Sequence, residues 1–297
     1  MAASKITLRT TLDDYPHTAP IKTGEIASER IDFDWVPVKP IAQSFKAMVR
    51  EQARDVNELA IVTYLQAKVY GKPIVLLPVT MLGRFQHHTM LYNTERGVVR
   101  PADLPGRRLG MRAYTQTTGA WVRGILGREY GIDLNKAHWV TFEDAHCAEY
   151  SDPPGIERAP AGKEITKMLI DGELDAAIFG GQMPTDPRLQ SVVQNPHEEA
   201  LKWYAKYGAV PINHMVVVTE KLAREHPDAV RELYRMLKEG KQRHGMPKPG
   251  EPDLRPFGID AVRPSLEMII DFALEQKLIP RRFSVDELFD DTTRSFN

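Results

Sequence analysis

Short apolar, β-branched runs recur along the chain, most of them followed by a stretch of helical period. This rhythm constrains the fold more than any other feature. KITLRTTL (5–12) alternates in the manner of a half-buried strand, and IDFDWVPV (31–38) repeats the signal. QSFKAMVREQ (43–52) places Phe45, Met48 and Val49 at the i, i+3, i+4 spacing of an amphipathic helix. VNELAIVTYLQAKVYG predicts a short strand and then a helix closed by Gly71, and PIVLLPV (73–79) a buried strand. Strands that alternate with helices reach their neighbours by crossover, which gives an open, mostly parallel α/β sheet.

The rhythm restarts further on. TMLYN (89–93) is a strand, and RPADLPG then leads into RRLGMRA (107–113), a new strand. The next helix, TTGAWVRGILGREYG (117–131), has Thr117 or Thr118 as N-cap and Gly131 as its terminal glycine. HWVTF (138–142) is a strand, 152–162 an exposed proline-rich connector, and 164–180 a helix, a turn at Asp171-Gly172 and a strand. PINHMVVV (211–218) begins a last segment that ends in helices, including 263–279 with Leu266, Ile269, Ile270 and Ala273 on one face. The expected organisation is a first lobe over 1–99, a second over 100–210, and a return to the first over 211–297.

Composition narrows the function classes. At 297 residues, 42% hydrophobic and 27% charged, the chain can form two domains, each with its own core. Its 39 basic and 40 acidic residues leave a net charge of −1, so global charge points to neither a nucleic-acid nor a membrane partner, and any anion preference must be local. The single cysteine, Cys147, allows no intrachain disulfide and no cysteine zinc site. The first residues lack the apolar stretch of a secretory signal, and no apolar run is long enough for a bilayer. A cytoplasmic location is expected.

In open α/β sheets ligands sit beyond the carboxyl ends of strands, and four polar clusters fall there. The first is Asp14, Tyr15, His17 and Thr18, residue types equally at home in a plain turn. The second is Arg84, Gln86, His87 and His88. An arginine can pair bidentately with a carboxylate, and a histidine titrates near neutrality. If 87 and 88 lie on a strand they face opposite ways, so at most one faces the cleft, and His88 is the better candidate. The third is Arg112, Tyr114, Gln116, Thr117 and Thr118, at a helix N-terminus whose free N–H groups and dipole suit an anion. The fourth is His214, in the apolar strand that returns to the first lobe. Glu58, ahead of an apolar run, is a carboxylate that needs a partner if buried, with Arg84 or a histidine as candidates. His138, His146, His197, His226 and His244 show no mutual ligand spacing and are set aside. Gly180-Gly181-Gln182 reads equally as a tight turn.

VRPADLPGRRLGMRAYTQTTG resembles the entry to the second lobe of type 2 periplasmic binding proteins. With DYPHT, ELAIVTY, GRFQHHTMLY, HWVTF, DGELDA, PINHMVVV and FSVDELF in order, nearly the whole chain resembles the 4,5-dihydroxyphthalate decarboxylases. It departs at His17 and His87, where that family commonly carries an arginine and another basic residue. The resemblance implies two α/β lobes of type 2 periplasmic-binding-protein-like fold with a ligand cleft between them. It also implies non-oxidative decarboxylation of a hydroxylated aromatic acid such as 4,5-dihydroxyphthalate, a small aromatic carboxylate.

For that chemistry Arg84, Arg112, Thr117 and Thr118 would hold the carboxylate, with Asp14, Tyr15, Tyr114 and Gln116 completing the binding set. His88, His214, His17 or Glu58 would move protons. No organic cofactor is implied. A divalent metal held by His17, His88, His214 and Asp14 stays open, as does a homo-oligomer. The alternative is a non-catalytic solute-binding or sensor protein for a small aromatic or carboxylate anion. A biosynthetic enzyme on the same fold is a weaker third reading.

Overall fold

The structure, a computed structural model, describes residues 5–297. Five strands, β1 (Ile6–Thr11), β2 (Ile31–Trp35), β3 (Val56–Ala60), β4 (Ile74–Gly83) and β11 (Ile212–Thr219), form one sheet in the order β2-β1-β3-β11-β4. Strand β1 pairs in parallel with β2 and β3, whereas β11 runs antiparallel to β3 and β4. The second sheet has the order β10-β5-β9-β6-β7-β8, built from β5 (Met90–Asn93), β6 (Arg108–Met111), β7 (His138–Thr141), β8 (Glu157–Arg158), β9 (Ala176–Ile178) and β10 (Leu189–Ser191). Its β6, β7, β8 and β9 are parallel, and β5 is antiparallel to β9 and β10.

Strand β5 lies wholly in the second sheet, so the first crossing precedes residue 90 rather than falling at the expected 99/100 boundary. Met90 and Leu91 face strand β9, and this pairing captures the segment before the apparent change of rhythm at Arg100.

The helices are α1 (Ala19–Lys22), α2 (Gln43–Glu51), α3 (Ile61–Val69), α4 (Thr117–Tyr130), α5 (Ile165–Asp171), α6 (Pro196–Tyr207), α7 (Glu220–Glu225), α8 (Pro227–His244) and α9 (Ile259–Glu275). Strand β3 runs into α3 without a loop, which holds the start of α3 against the strand end. Gln116, not Thr117 or Thr118, is the N-cap of α4, so both threonine hydroxyls are free for other partners. Helix α9 starts four residues earlier than expected and contains Pro264. The carbonyl that a proline at this position frees belongs to Asp260, an exposed residue, which makes the proline tolerable there.

Each lobe was expected to have its own core. Each does, and a larger cluster also spans both, from Phe45 and Leu59 through Trp121 and Trp203 to Phe272. Smaller clusters cover the outer face of each sheet. Trp121 of α4 donates to the Ile212 carbonyl of β11 (2.8 Å) and meets Phe272 of α9 edge-on (5.7 Å). Gly124 is obligatory here, because a Cβ on it would lie 2.2 Å from the Phe272 ring. Among the described residues no helix is long and apolar enough to cross a membrane.

Candidate functional site

A cavity of about 780 Å³ opens between the sheets and is lined from both lobes. Both chain crossings run along it. Gln86 in the first donates to Asn213 Oδ1 in the second (2.7 Å), and Asn213 Nδ2 donates to Thr118 Oγ1 at the start of α4 (3.2 Å). This chain of amides and a hydroxyl ties the two crossings to the second-lobe helix.

On the first-lobe wall, β11 pairs antiparallel with β3 so that Val216 faces Glu58 and His214 faces Ala60. Glu58 and His214 therefore share one face as diagonal neighbours. Glu58 is fully buried, and three donors converge on it: His214 Nδ1 (2.6 Å) and Tyr15 Oη (2.7 Å) on Oε1, and the Asp13 N–H (3.2 Å) on Oε2. A carboxylate in this role only accepts, so the Nδ1 of His214 carries a proton, and in the neutral ring Nε2 is the acceptor. Burial and the Glu58 charge push the Tyr15 hydroxyl far above its ordinary value, so it stays a donor. The partner foreseen for Glu58 is thus a histidine, not Arg84.

On the second-lobe wall, α4 presents its first N–H groups. The first intrahelical bond is donated by Ala120, to Gln116. Thr117 Oγ1 accepts from Val62 N and Thr118 Oγ1 from Asn213, so each hydroxyl keeps its hydrogen to donate into the cleft. Arg84 and Arg112 line the same cavity. Arg84 donates to the Gly181 carbonyl (3.2 Å), and burial lowers its pKa; Arg112 is 3.4 Å from Glu143. Two guanidiniums, two hydroxyls and a helix N-terminus facing an imidazole acceptor can hold a carboxylate at one point and take a proton at another. Gly180 borders this wall because a Cβ there would lie 2.1 Å from Gln116 Nε2.

Of the expected residues, Tyr15, Arg84, Arg112, Gln116, Thr117, Thr118 and His214 line the cavity, with Glu58 directly behind. Four do not. His17 sits in a turn with its ring in the core, stacked on Tyr15 at 5.1 Å, and neither ring nitrogen has a partner among the described residues. Burial lowers its pKa to about 4. Asp14 turns outward to Lys22 and Lys39 (2.6 Å each), whose hydrogen bonds lower its pKa to about 2, and Asp13 takes its place at the cleft. Tyr114 is buried under the Arg123 guanidinium at 4.0 Å. His88 lies with His87 in a turn rather than on a strand, outside the cavity lining, so the alternation expected to aim it at the cleft does not apply. His87 is buried edge-on against Trp203. The departures at His17 and His87 therefore lie outside the cavity.

His146, set aside for want of ligand spacing, lines the cavity. Its Nδ1 is 2.7 Å from Thr63 Oγ1 of α3, and Arg50 of α2 donates to the carbonyls of Ala145 and His146. Its partner is 83 residues away, and no local pattern announces it. His17, His88, His214 and Asp14 do not gather, and among the described residues no group of three His, Cys, Asp or Glu could hold a metal.

The chain is 29% identical over 243 residues to a 4,5-dihydroxyphthalate decarboxylase of Comamonas testosteroni, covering 75% of this chain and 71% of that protein. It is 28% identical over 214 residues to one of Pseudomonas putida, covering 68% of this chain and 82% of that one. The resemblance read from the motifs is borne out. No family model matches the chain. Among solved structures, the alkanesulfonate-binding protein SsuA of Xanthomonas axonopodis superposes with a TM-score of 0.58 at 13% identity, covering 98% of this chain and 99% of that one. The aliphatic sulphonate-binding protein SsuA of Escherichia coli gives 0.59 at 12%, covering 97% and 92%. The desulfurization enzyme DSZB gives 0.56 at 14%, covering 97% and 98%. At such identities these matches speak for the fold alone, which is the two-lobed periplasmic-binding-protein-like architecture expected.

Proposed function

We propose that this relative of the 4,5-dihydroxyphthalate decarboxylases is itself a carboxy-lyase, acting without oxidation on a hydroxylated aromatic acid of the 4,5-dihydroxyphthalate class. The observation that carries the reading is the Glu58–His214 pair. A binding protein for anions needs guanidiniums and N–H groups, whereas a histidine fixed by a buried carboxylate with Nε2 facing the cavity is equipped to take a proton.

Direct loss of CO2 would leave an aryl anion. A hydroxyl para to the carboxylate avoids this. His214 Nε2 takes the hydroxyl proton, and the oxygen's electron pair enters the ring. The carboxyl-bearing carbon then takes a proton from solvent, the one proton the overall reaction consumes. The bond to CO2 breaks, its electron pair restores the aromatic ring, and His214 returns its proton to the phenolate oxygen. Glu58 stabilises the transient imidazolium, and Arg84, Arg112 and the α4 terminus hold the carboxylates. No step calls for an organic cofactor, and the setting we propose is the cytoplasm.

Incubation of the purified protein with 4,5-dihydroxyphthalate should release CO2 and form 3,4-dihydroxybenzoate. Tight binding without CO2 release would leave the chain a binding or sensor protein. His214→Ala should lose turnover and keep its fold, whereas His88→Ala should retain it.

A further inference from the structure

His146 and His214 both line the cavity, and the Phe45 ring meets each edge-on, at 5.5 and 5.1 Å. Their Nδ1 partners differ in kind. Glu58 can only accept, so His214 carries its proton on Nδ1 and offers a lone pair at Nε2. The one side-chain hydrogen bond of the buried Thr63 hydroxyl goes to His146 Nδ1. If Nδ1 donated, the threonine proton would be left without an acceptor. If the hydroxyl donates, both groups are satisfied, and His146 carries its proton on Nε2. Burial, followed by the Arg112 charge, keeps this ring neutral, lowering its pKa to about 3. The backbone is fixed as well, since Arg50 clamps the carbonyls of residues 145 and 146. Neither Nε2 has a hydrogen-bond partner among the described residues. The cavity wall thus carries two imidazoles of opposite tautomer, one accepting and one donating.

We infer that His146 is the specificity-determining partner of His214 and that together they recognise a vicinal aromatic diol, one oxygen giving its proton to His214 Nε2 and its neighbour accepting from His146 Nε2–H. Two adjacent hydroxyls match this acceptor–donor pair, and a single hydroxyl leaves the His146 N–H unanswered. The ligand class rests on the decarboxylase reading, but the tautomers do not.

The test separates the two. Calorimetry on the intact protein compares 3,4-dihydroxybenzoate with 4-hydroxybenzoate and 4-hydroxy-3-methylbenzoate, whose methyl group offers no acceptor. The wild type should favour the diol about tenfold or more, the value of one well-placed hydrogen bond. His146→Leu should bring the ratio of diol to single hydroxyl near one, and His146→Gln, which restores a donor at the same reach, should recover several-fold. Long-range 1H–15N spectra of the wild type, which need no variant to fold, should show Nε2–H at His146 and Nδ1–H at His214. Equal affinities, no binding of any of the three, or Nδ1–H at His146 would overturn the inference. Diol preference without CO2 release would uphold it while sinking the decarboxylase reading, and CO2 release without diol preference would do the reverse.

Discussion

Replacing Glu58 by glutamine removes the charge on which His214, Tyr15 and the Asp13 N–H converge, with almost no change of shape. The amide oxygen can stand at the Oε1 position and still accept from His214 and Tyr15, which leaves the amide NH2 against the Asp13 N–H. The His214 tautomer survives, but the stabilisation of the imidazolium is lost. Two unit charges about 4 Å apart interact by roughly 4 kcal/mol at an effective dielectric near 20, and the retained neutral hydrogen bond returns about 1 kcal/mol. The barrier should rise by about 3 kcal/mol, roughly a 10²-fold loss in kcat, with KM little changed. Stability should move less. The unpaired Asp13 N–H costs about 1–3 kcal/mol, offset in part by removing a fully buried charge. The assay is CO2 release at saturating substrate, with circular-dichroism melts alongside. A kcat within threefold of the parent in a folded variant would refute the role given to this pair.

Burial holds His17 and His87 near about 4 and His146 near about 3, all below the ordinary 6.5. Between those values the unfolded chain binds more protons than the fold, so stability rises with pH across this window, is complete above about 6.5 and is lost on acidification. His17→Phe keeps the stack on Tyr15 and removes two unpartnered nitrogens. Its unfolding free energy from urea melts should fall roughly 2–3 kcal/mol less than the parent's between pH 7 and 4.5, and equal loss in both would show that His17 is not a source of acid lability. Gly180→Ala brings a Cβ to 2.1 Å from Gln116 Nε2 and 3.3 Å from Thr118 Oγ1, and Gln116 can yield at its flexible end. KM should rise about tenfold with the melting temperature nearly unchanged, and a normal KM would remove this wall from the binding site.

Most strands, most helix ends and the cleft's strand-end position were legible in the sequence because apolar period is a local property, whereas β8, inside the segment expected as a connector, and β10 are too short and too polar to show one. Glu58 and His214 were legible for the same reason, each being a polar residue in an apolar strand. Direction within turns was not. Tyr15 and His17 are two residues apart, yet one faces the cavity and the other the core, and Asp13 rather than its neighbour Asp14 reaches the cleft. His146 was out of reach because what positions it, Thr63 and Arg50, comes from the other lobe.

The antiparallel strand β11 stands between β3 and β4, which do not touch in the sheet order. During synthesis the first sheet therefore waits, split in two, until the whole second lobe and residues to Thr219 have emerged. The second-lobe strands, 90–191, can pair among themselves meanwhile, while apolar edges of β3 and β4 stay open to wrong partners. The strand that ends this exposure also brings Asn213 and His214. Acquisition of activity on refolding should thus coincide with closure of the first sheet, and a fragment ending before residue 212 should have neither a complete first sheet nor the histidine.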